Sequence, residues 1–174
     1  MNHFDVENAL KTATVLCDTR EQDTIQARKR LKDIGLPIER KALPFGDYSI
    51  KTTLPDGTLL SLEDSVAIER KMSCDEIIMC YTSQRPRFTR EFLRAKEANA
   101  KVYLLIENAT IEKFYAGNYR SKVAPQAITA SLFAWLARYN CQLIMCEARS
   151  SGKVIHDILY RELKERLEAI DVDD

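Results

Sequence analysis

The sequence predicts an α/β fold: a central mixed β-sheet flanked by helices on both faces. In the first half, short strands follow one another directly, and Asp56-Gly57 between two of them is typical of a tight hairpin turn. In the second half, apolar strands alternate with helices, a pattern typical of parallel strands joined by helical crossovers. A chain of 174 residues with 45% hydrophobic side chains is long enough for a domain with a sizeable core.

The first half is predicted to contain a meander of strands and one helix. Residues 1–13 are expected to be a polar or weakly helical lead-in, followed by a single domain over residues 14–174. A helix is predicted over residues 25–34, because Gly35 follows it. The basic side chains of this helix form a solvated face or contact phosphate groups; they are Arg28, Lys29, Arg30 and Lys32. The predicted strands cover residues 14–17, 38–43, 48–53, 58–62 and 66–71.

The second half is predicted to alternate between strands and helices. Helix 125–139 is apolar nearly all round, so it is either buried in the core or part of an interface. Helix 153–170 has one apolar stripe that packs on the core or pairs with a second copy, and the acidic residues 171–174 are expected to be frayed. The other predicted helices cover residues 75–79, 84–100 and 110–115, and the other strands cover residues 101–107 and 142–146.

The composition limits the classes of function. The 26 basic and 26 acidic side chains balance, so a nucleic-acid-binding surface would have to be local. Five cysteines without a Cys-x-x-Cys pair, together with only two histidines, argue against a structural zinc site and predict reduced thiols. The chain has no apolar run that spans a bilayer and no signal-peptide pattern at its start. We therefore expect an intracellular protein without membrane contact, cytoplasmic in a bacterium or phage and nuclear in a eukaryote.

Charged residues at the ends of two predicted strands form a candidate hydrolytic site. Side chains alternate along strand 66–71, so Glu69 and Lys71 share one face and Arg70 lies on the other. Asp47 opens a neighbouring strand, from which its carboxylate can converge with that of Glu69. Two carboxylates can hold Mg²⁺, and a lysine can hold or deprotonate a metal-bound water. Taken alone, Glu-x-Lys is also compatible with ordinary surface charge.

These residues carry a resemblance to a known family. Gly46-Asp47-Tyr48, followed by Glu69-Arg70-Lys71 and then Asp75, resembles the signature of the XPF-type (XPF/Hef-like) structure-specific endonucleases. Asp18-Thr19-Arg20-Glu21 is similar to the first motif of that family, and the resemblance extends over residues 14–145. It implies a restriction-endonuclease-like core. It also implies Mg²⁺- or Mn²⁺-dependent cleavage of branched or flapped DNA, such as forks, 3′ flaps and junctions, in repair, recombination or replication.

The resemblance also implies roles for individual residues. Asp47 and Glu69 would bind the metal, with the Arg70 main-chain carbonyl as a further ligand, and Lys71 would position or activate the attacking water. The implied supporting residues of the active site are Asp18, Arg20, Glu21 and Asp75. The implied DNA-binding residues are Arg70, Arg87, Arg90 and Arg94. From the residues alone, segment 18–21 is better explained as a polar loop with a helix cap, Asp75 suits a helix dipole, and helix 84–100 is equally a solvated surface helix.

One departure from the family changes the expected partners. Family members carry a C-terminal tandem helix-hairpin-helix module, and residues 147–174 are too few for it. A partner chain, a second copy or a different substrate preference would compensate for its absence. Because the family forms homodimers or heterodimers, the resemblance implies a dimer, with helices 125–139 and 153–170 as the candidate faces. Two other readings stay open: a non-catalytic DNA-binding or scaffold subunit of a nuclease complex, and a restriction-like or recombination enzyme of the same superfamily.

Overall fold

A mixed β-sheet of seven strands forms the centre of the computed structural model, which describes residues 1–170. The strands are β1 (Thr14–Cys17), β2 (Ile38–Arg40), β3 (Tyr48–Thr53), β4 (Leu59–Ser61), β5 (Val66–Lys71), β6 (Lys101–Glu107) and β7 (Gln142–Cys146). Their order is β2-β1-β3-β5-β6-β7, with β4 beside β3. Strand β3 is antiparallel to β1, β4 and β5, whereas β5, β6 and β7 run parallel. The predicted fold class is confirmed.

Seven α-helices within residues 1–170 cover the two faces of the sheet. They are α1 (His3–Lys11), α2 (Ile25–Ile34), α3 (Cys74–Tyr81), α4 (Arg85–Glu97), α5 (Ile111–Tyr115), α6 (Pro125–Tyr139) and α7 (Ser151–Glu168). Local signals determine several ends: Thr24 accepts a hydrogen bond from a backbone N–H of α2, and Ser73 does the same for α3. Gly35 ends α2 in the left-handed region at φ 71°. The predicted frayed end, residues 171–174, lies outside the described residues.

Two hydrophobic cores lie on opposite faces of the sheet. On β5, Ala67 faces the core formed with α3, α4, α5 and α6, whereas Val66 and Ile68 face the core formed with α1, α2 and α7. The same alternation continues on β6, where Leu104 and Leu105 belong to different cores. Strand β5 is therefore covered on both sides, and polar side chains on it are held in place by packing.

The N-terminal residues and the edge strand β2 complete the sheet and its cover. Within the predicted lead-in, α1 buries Val6 and Leu10 in the core of α7. Strand β2 ends at Arg40, three residues before the predicted end, because the N–H of Leu43 binds the Asp18 carboxylate instead of a neighbouring strand.

Helix α6 has one buried and one exposed face. Ile128, Leu132 and Trp135 enter the core, whereas Phe133 on the opposite side is 46% exposed. The small apolar residues that share this outer face are Ala127, Ala130, Ala134 and Ala137. All five cysteines are free thiols, as predicted. No helix within residues 1–170 combines the length and the apolar character that crossing a membrane requires.

Candidate active site

The pairing of β3 with β5 brings the two predicted carboxylates together. Tyr48 lies opposite Ile68 in the antiparallel ladder, so Asp47 and Glu69 follow as the next opposed pair. The N–H of Asp47 donates to the carbonyl of Ile68 at 2.8 Å, and the N–H of Arg70 donates to Asp47 Oδ2 at 2.8 Å. Asp47 is thereby fixed to β5 through both its main chain and its side chain.

Gly46 allows this close approach. Its φ of 72° lies in the left-handed region, and a Cβ at this position would come within 2.8 Å of the Ala67 Cβ and 3.1 Å of the Ile68 carbonyl oxygen. A side chain would therefore push β3 away from β5 at the residue before Asp47.

Three side chains hold the segment 43–46 that leads into Asp47. The N–H of Leu43 donates to Asp18 at 2.8 Å, and the N–H of Gly46 donates to Glu91 at 3.1 Å. Between them, the Pro44 carbonyl accepts from Arg94 Nε at 3.1 Å. Arg20 connects two of these groups, because it donates to Asp18 at 2.6 Å and lies 3.7 Å from Glu91. Asp18 and Arg94 thus support the site from behind Asp47.

Glu69 and Lys71 lie together on one face of β5. Lys71 Nζ donates to Glu69 Oε1 and lies 5.2 Å from the centre of the Phe88 ring, a cation–π contact. Phe88 in turn stacks on Trp135 with a centroid separation of 4.9 Å. The other oxygen, Glu69 Oε2, is buried without a hydrogen-bond partner. An unpaired carboxylate oxygen in a buried position is costly, which marks it as a site for a further ligand.

The surroundings of the two carboxylates oppose the ionisation of both at once. Burial and the nearby Asp47 raise the pKa of Glu69 to about 8, although Lys71 opposes the shift. Burial also raises the pKa of Asp47 to about 6, against the Lys71 charge and the hydrogen bond from the N–H of Arg70. Lys71 loses charge stabilisation through burial, but Glu69 and Asp47 outweigh this and raise its pKa. The two carboxylates are therefore not both ionised beside one lysine at neutral pH, whereas an added cation would stabilise both charges, so the donor set fits a metal ion.

The donor set consists of this carboxylate pair. Within residues 1–170, no group of three or more His, Cys, Asp or Glu side chains is arranged to hold a metal ion. Mg²⁺ accepts such a small protein contribution, because it usually keeps several waters and takes one or two carboxylates.

A closed set of four charged side chains, which we term the charge ring, occupies the other face of β5. It consists of Glu21, Arg30, Arg70 and Glu107. Arg30 Nη1 and Arg70 Nη1 lie 3.2 Å and 3.1 Å from the two oxygens of Glu107, and both guanidinium groups also contact Glu21 Oε1. Arg30 Nε donates to the Tyr48 hydroxyl at 3.0 Å. Every member therefore has two or more polar partners.

These groups meet in a cleft of about 850 Å³. The predicted site residues that line it are Arg20, Glu21, Asp47, Glu69, Arg70, Lys71 and Arg87. Arg87, exposed at the start of α4, and Arg149 also line the cleft. The cleft thus contains both carboxylates, the lysine and further cationic groups.

Other predicted site residues lie outside the cleft. Asp18 is buried behind it, where burial raises its pKa but the hydrogen bonds from Arg20 and from backbone N–H groups outweigh this and lower it. Asp75 accepts from the N–H of Arg120 at 2.8 Å, and its neighbour Glu76 lines the cleft instead. Arg90 is an exposed residue of α4 that does not line the cleft, and Arg94 binds segment 43–46.

Several residues of the site are not among those predicted, including Arg30, Phe88, Glu91 and Glu107. Arg30 shares the buried face of α2 with Ala27 and Ile34. An arginine at helical spacing with apolar residues indicates a buried, paired charge, and this pattern is visible in the sequence. Arg30 is only 6% exposed, so it does not belong to a solvated face. Glu107 ends a buried strand, where a carboxylate needs a partner.

Comparison with known proteins identifies the family. The family model described as "ERCC4 domain" matches residues 17–158, which include every charged residue of the cleft described above. The chain belongs to the ERCC4 domain family. The ERCC4 domain here spans most of the sheet and both cores. The predicted resemblance to the XPF-type nuclease domain is confirmed.

Solved structures share this ERCC4 domain fold. XPF from Aeropyrum pernix is 21% identical, with a TM-score of 0.65 over 92% of this chain and 66% of that one. XPF from Aeropyrum pernix in complex with DNA is 23% identical, with a TM-score of 0.60 over 91% and 68%. The chain therefore spans about two thirds of the length of these structures. No curated protein matches the sequence.

Proposed function

We propose that the chain is a metal-dependent DNA endonuclease that hydrolyses phosphodiester bonds. The observation that carries the proposal is the pair of the half-buried Asp47 and the buried Glu69, which has one unpaired oxygen and one adjacent lysine. Membership of the ERCC4 domain family supports it, as does the fold shared with an XPF structure in complex with DNA.

Asp47 and Glu69 would hold Mg²⁺ or Mn²⁺, with the Arg70 main-chain carbonyl as a third protein ligand. When bound, the metal would polarise a phosphoryl oxygen and lower the pKa of a bound water. Lys71 already lies beside Glu69 and is kept protonated by the surrounding carboxylates, so it would hold the attacking water by donating a hydrogen bond.

The proposed substrate is branched or flapped DNA, processed during repair, recombination or replication. Arg70 and Arg87 would contact phosphates inside the cleft, and Arg90 would extend the contact along the exposed side of α4. Arg94 could add to this only in part, because its Nε is committed to the Pro44 carbonyl. A homodimer or heterodimer would enlarge the DNA-binding surface, and the exposed face of α6 is our candidate for its interface.

The deciding experiment is cleavage of a labelled fork or 3′-flap duplex with Mg²⁺ or Mn²⁺. Asp47→Ala and Lys71→Ala should each lower the rate by at least about 100-fold, since each removes a group that acts on the scissile phosphate or the water. Asp157→Ala and Lys153→Ala, which remove exposed charges of α7, are the matched controls and should cut at the wild-type rate.

A panel of matched duplex, fork, flap and four-way-junction substrates tests the substrate class. Best cleavage of one duplex sequence would identify a restriction-like enzyme instead. Wild-type protein that binds the DNA but never cuts, in either metal, would identify a non-catalytic DNA-binding or scaffold subunit.

A further inference from the structure

The charge ring is sealed from solvent except at one member. The exposed fractions of the side chains are 5% for Arg30, 7% for Glu21 and 3% for Glu107, compared with 15% for Arg70. Arg70 is also the member whose main chain holds Asp47 and lies between Glu69 and Lys71. The ring therefore connects the interior of the α2 side with the floor of the cleft.

Stability alone does not account for burying four charges. A buried ion pair roughly offsets its own desolvation cost, and well-packed apolar residues of similar size often do better. Removal of one partner, however, leaves an uncompensated charge in the interior. The two arginines and two glutamates of the ring balance, so loss of either arginine would leave one excess carboxylate in the wall of the cleft.

The contacts of Arg30 require a guanidinium. Its Nε donates to the Tyr48 hydroxyl at 3.0 Å, its Nη1 lies 3.2 Å from Glu107, and its Nη2 contacts Glu21. A lysine has a single nitrogen and cannot span these three diverging partners. The other basic residues of α2 differ: Arg28 and Lys29 are more than 60% exposed and pair with Asp23 and Asp33 in solvent.

We propose that Arg30 is a positioning residue for phosphate binding: it neutralises Glu21 and Glu107, and so keeps the Arg70 guanidinium available to a DNA phosphate in the cleft. The inference rests on the proposed function, because it takes DNA as the ligand of Arg70. Without Arg30, Arg70 becomes the sole counterion of two buried carboxylates, and the net negative charge repels the incoming phosphate.

The test measures DNA binding without divalent metal, so that cleavage does not enter. Affinity for a labelled fork duplex is followed by fluorescence anisotropy over a series of salt concentrations, whose slope reports the number of phosphate contacts. Arg70→Met should reduce the magnitude of the slope of log K against log[salt] by about 0.9, the value of one phosphate contact. It should also weaken binding about tenfold at low salt. Arg30→Met should do the same, although only 5% of the Arg30 side chain is exposed and both of its Nη atoms are paired with glutamates. Arg161→Met, which removes an exposed arginine of α7, should bind as the wild type does.

The sign of the effect separates positioning from simple structural damage. Glu107→Gln gives the ring an excess positive charge and should tighten DNA binding several-fold, and Arg30→Met/Glu107→Gln restores neutrality and should return the slope to the wild-type value. If all three variants weaken binding, or if Arg30→Met keeps the wild-type slope while Arg70→Met loses a contact, the inference is overturned. If Arg30→Met does not fold, the binding of Glu107→Gln and of the double variant still tests the inference.

The experiment gives different results if the proposed function fails and if only the role of Arg30 fails. Wild-type protein that fails to bind any DNA overturns both statements. Wild-type protein that binds, with an affinity that does not respond to charge changes in the ring, overturns only the role of Arg30.

Discussion

The two oxygens of Glu69 have different surroundings, and this difference determines how the site responds to pH. Oε1 accepts from Lys71, whereas Oε2 is buried without a partner, and the carboxylate of Asp47 lies on the adjacent strand. With its pKa raised to about 8, Glu69 holds a proton at neutral pH in the metal-free protein. The ionised pair would form only when a cation replaces that proton.

The metal-free protein should lose stability as the pH rises. Glu69 keeps its proton up to about pH 8 when folded but only up to 4.5, its ordinary value, when unfolded. Between these values the folded state binds more protons, so the free energy of unfolding falls with pH, by on the order of 1 kcal/mol per pH unit. Asp47 adds to the fall only below about pH 6. Urea unfolding in EDTA at several pH values between about 5 and 8.5 measures this.

Glu69→Gln is the control for that series, because it keeps the shape of the side chain and removes the titration. Its unfolding free energy should be nearly flat between about pH 6 and pH 8.5. A variant that retains the wild-type slope would show that another group causes it.

The stabilising effect of Mg²⁺ should have the opposite pH dependence. A metal requires deprotonated carboxylates, so its binding competes with the protons on Glu69 and Asp47. The increase of Tm at a fixed millimolar Mg²⁺ concentration should therefore be larger at about pH 8.5 than at about pH 6. An increase of Tm that does not depend on pH, or that persists in Glu69→Gln/Asp47→Asn, would place the metal elsewhere.

At the scale of elements, the entry into β3 is the most tightly constrained connection of the site. Gly46 has a φ of 72° and lies against Ala67, whereas Gly57, in the hairpin between β3 and β4, has a φ of 86° in open space. Both glycines avoid the strain of a left-handed backbone, but only Gly46 also avoids a steric clash.

Gly46→Ala should therefore cost more than Gly57→Ala. The left-handed conformation costs an alanine about 1–2 kcal/mol at either position, and the clash with β5 adds about 1–3 kcal/mol at position 46. Urea unfolding of the two variants gives the difference directly. Gly46→Ala should also weaken Mg²⁺ binding, since β3 carries Asp47, whereas Gly57→Ala should leave it unchanged. Equal losses of stability would argue against the close approach of β3 and β5.

The sequence predicts elements better than it predicts contacts between them. Helix α2 matches its predicted bounds because its ends depend on the adjacent residues Thr24 and Gly35, and strands β3 and β5 also match theirs. The pairing of Asp47 with Glu69 follows from strand order. By contrast, Arg30 and Glu107 are 77 residues apart, and no local pattern reports that contact. Asp75 and Glu76 are adjacent residues of helix α3 whose side chains point in different directions, so Glu76 lines the cleft and Asp75 does not.

For the molecule as a whole, the outer face of α6 is our candidate for contact with a second copy. The core takes Ile128, Leu132 and Trp135 from this helix, and Phe133 remains 46% exposed among small apolar residues. A flat stripe of alanines allows two helices to approach closely, and a central aromatic side chain can anchor the contact.

A dimer should have twice the 20.0 kDa mass of one chain in light scattering at micromolar concentration. Phe133→Arg should convert it to the monomer, because the interface would then bury an unpaired charge. Phe4→Arg, which changes the 78% exposed phenylalanine of α1, is the control and should leave the mass unchanged. A wild type that stays monomeric would contradict this interface.

Strand β5 separates two kinds of chemistry within one short segment. Glu69 and Lys71 face the aromatic core of α4 and α6, whereas Arg70 between them faces the charge ring and α2. Within residues 1–170, no side-chain hydrogen bond or ion pair joins Glu69 or Lys71 to the charge ring, so the effects of substitutions on the two sides should add except through the charges that both place near Asp47. Substitutions on one face of β5 could therefore change the metal preference, and substitutions on the other face could change the affinity for phosphates, with little effect on each other.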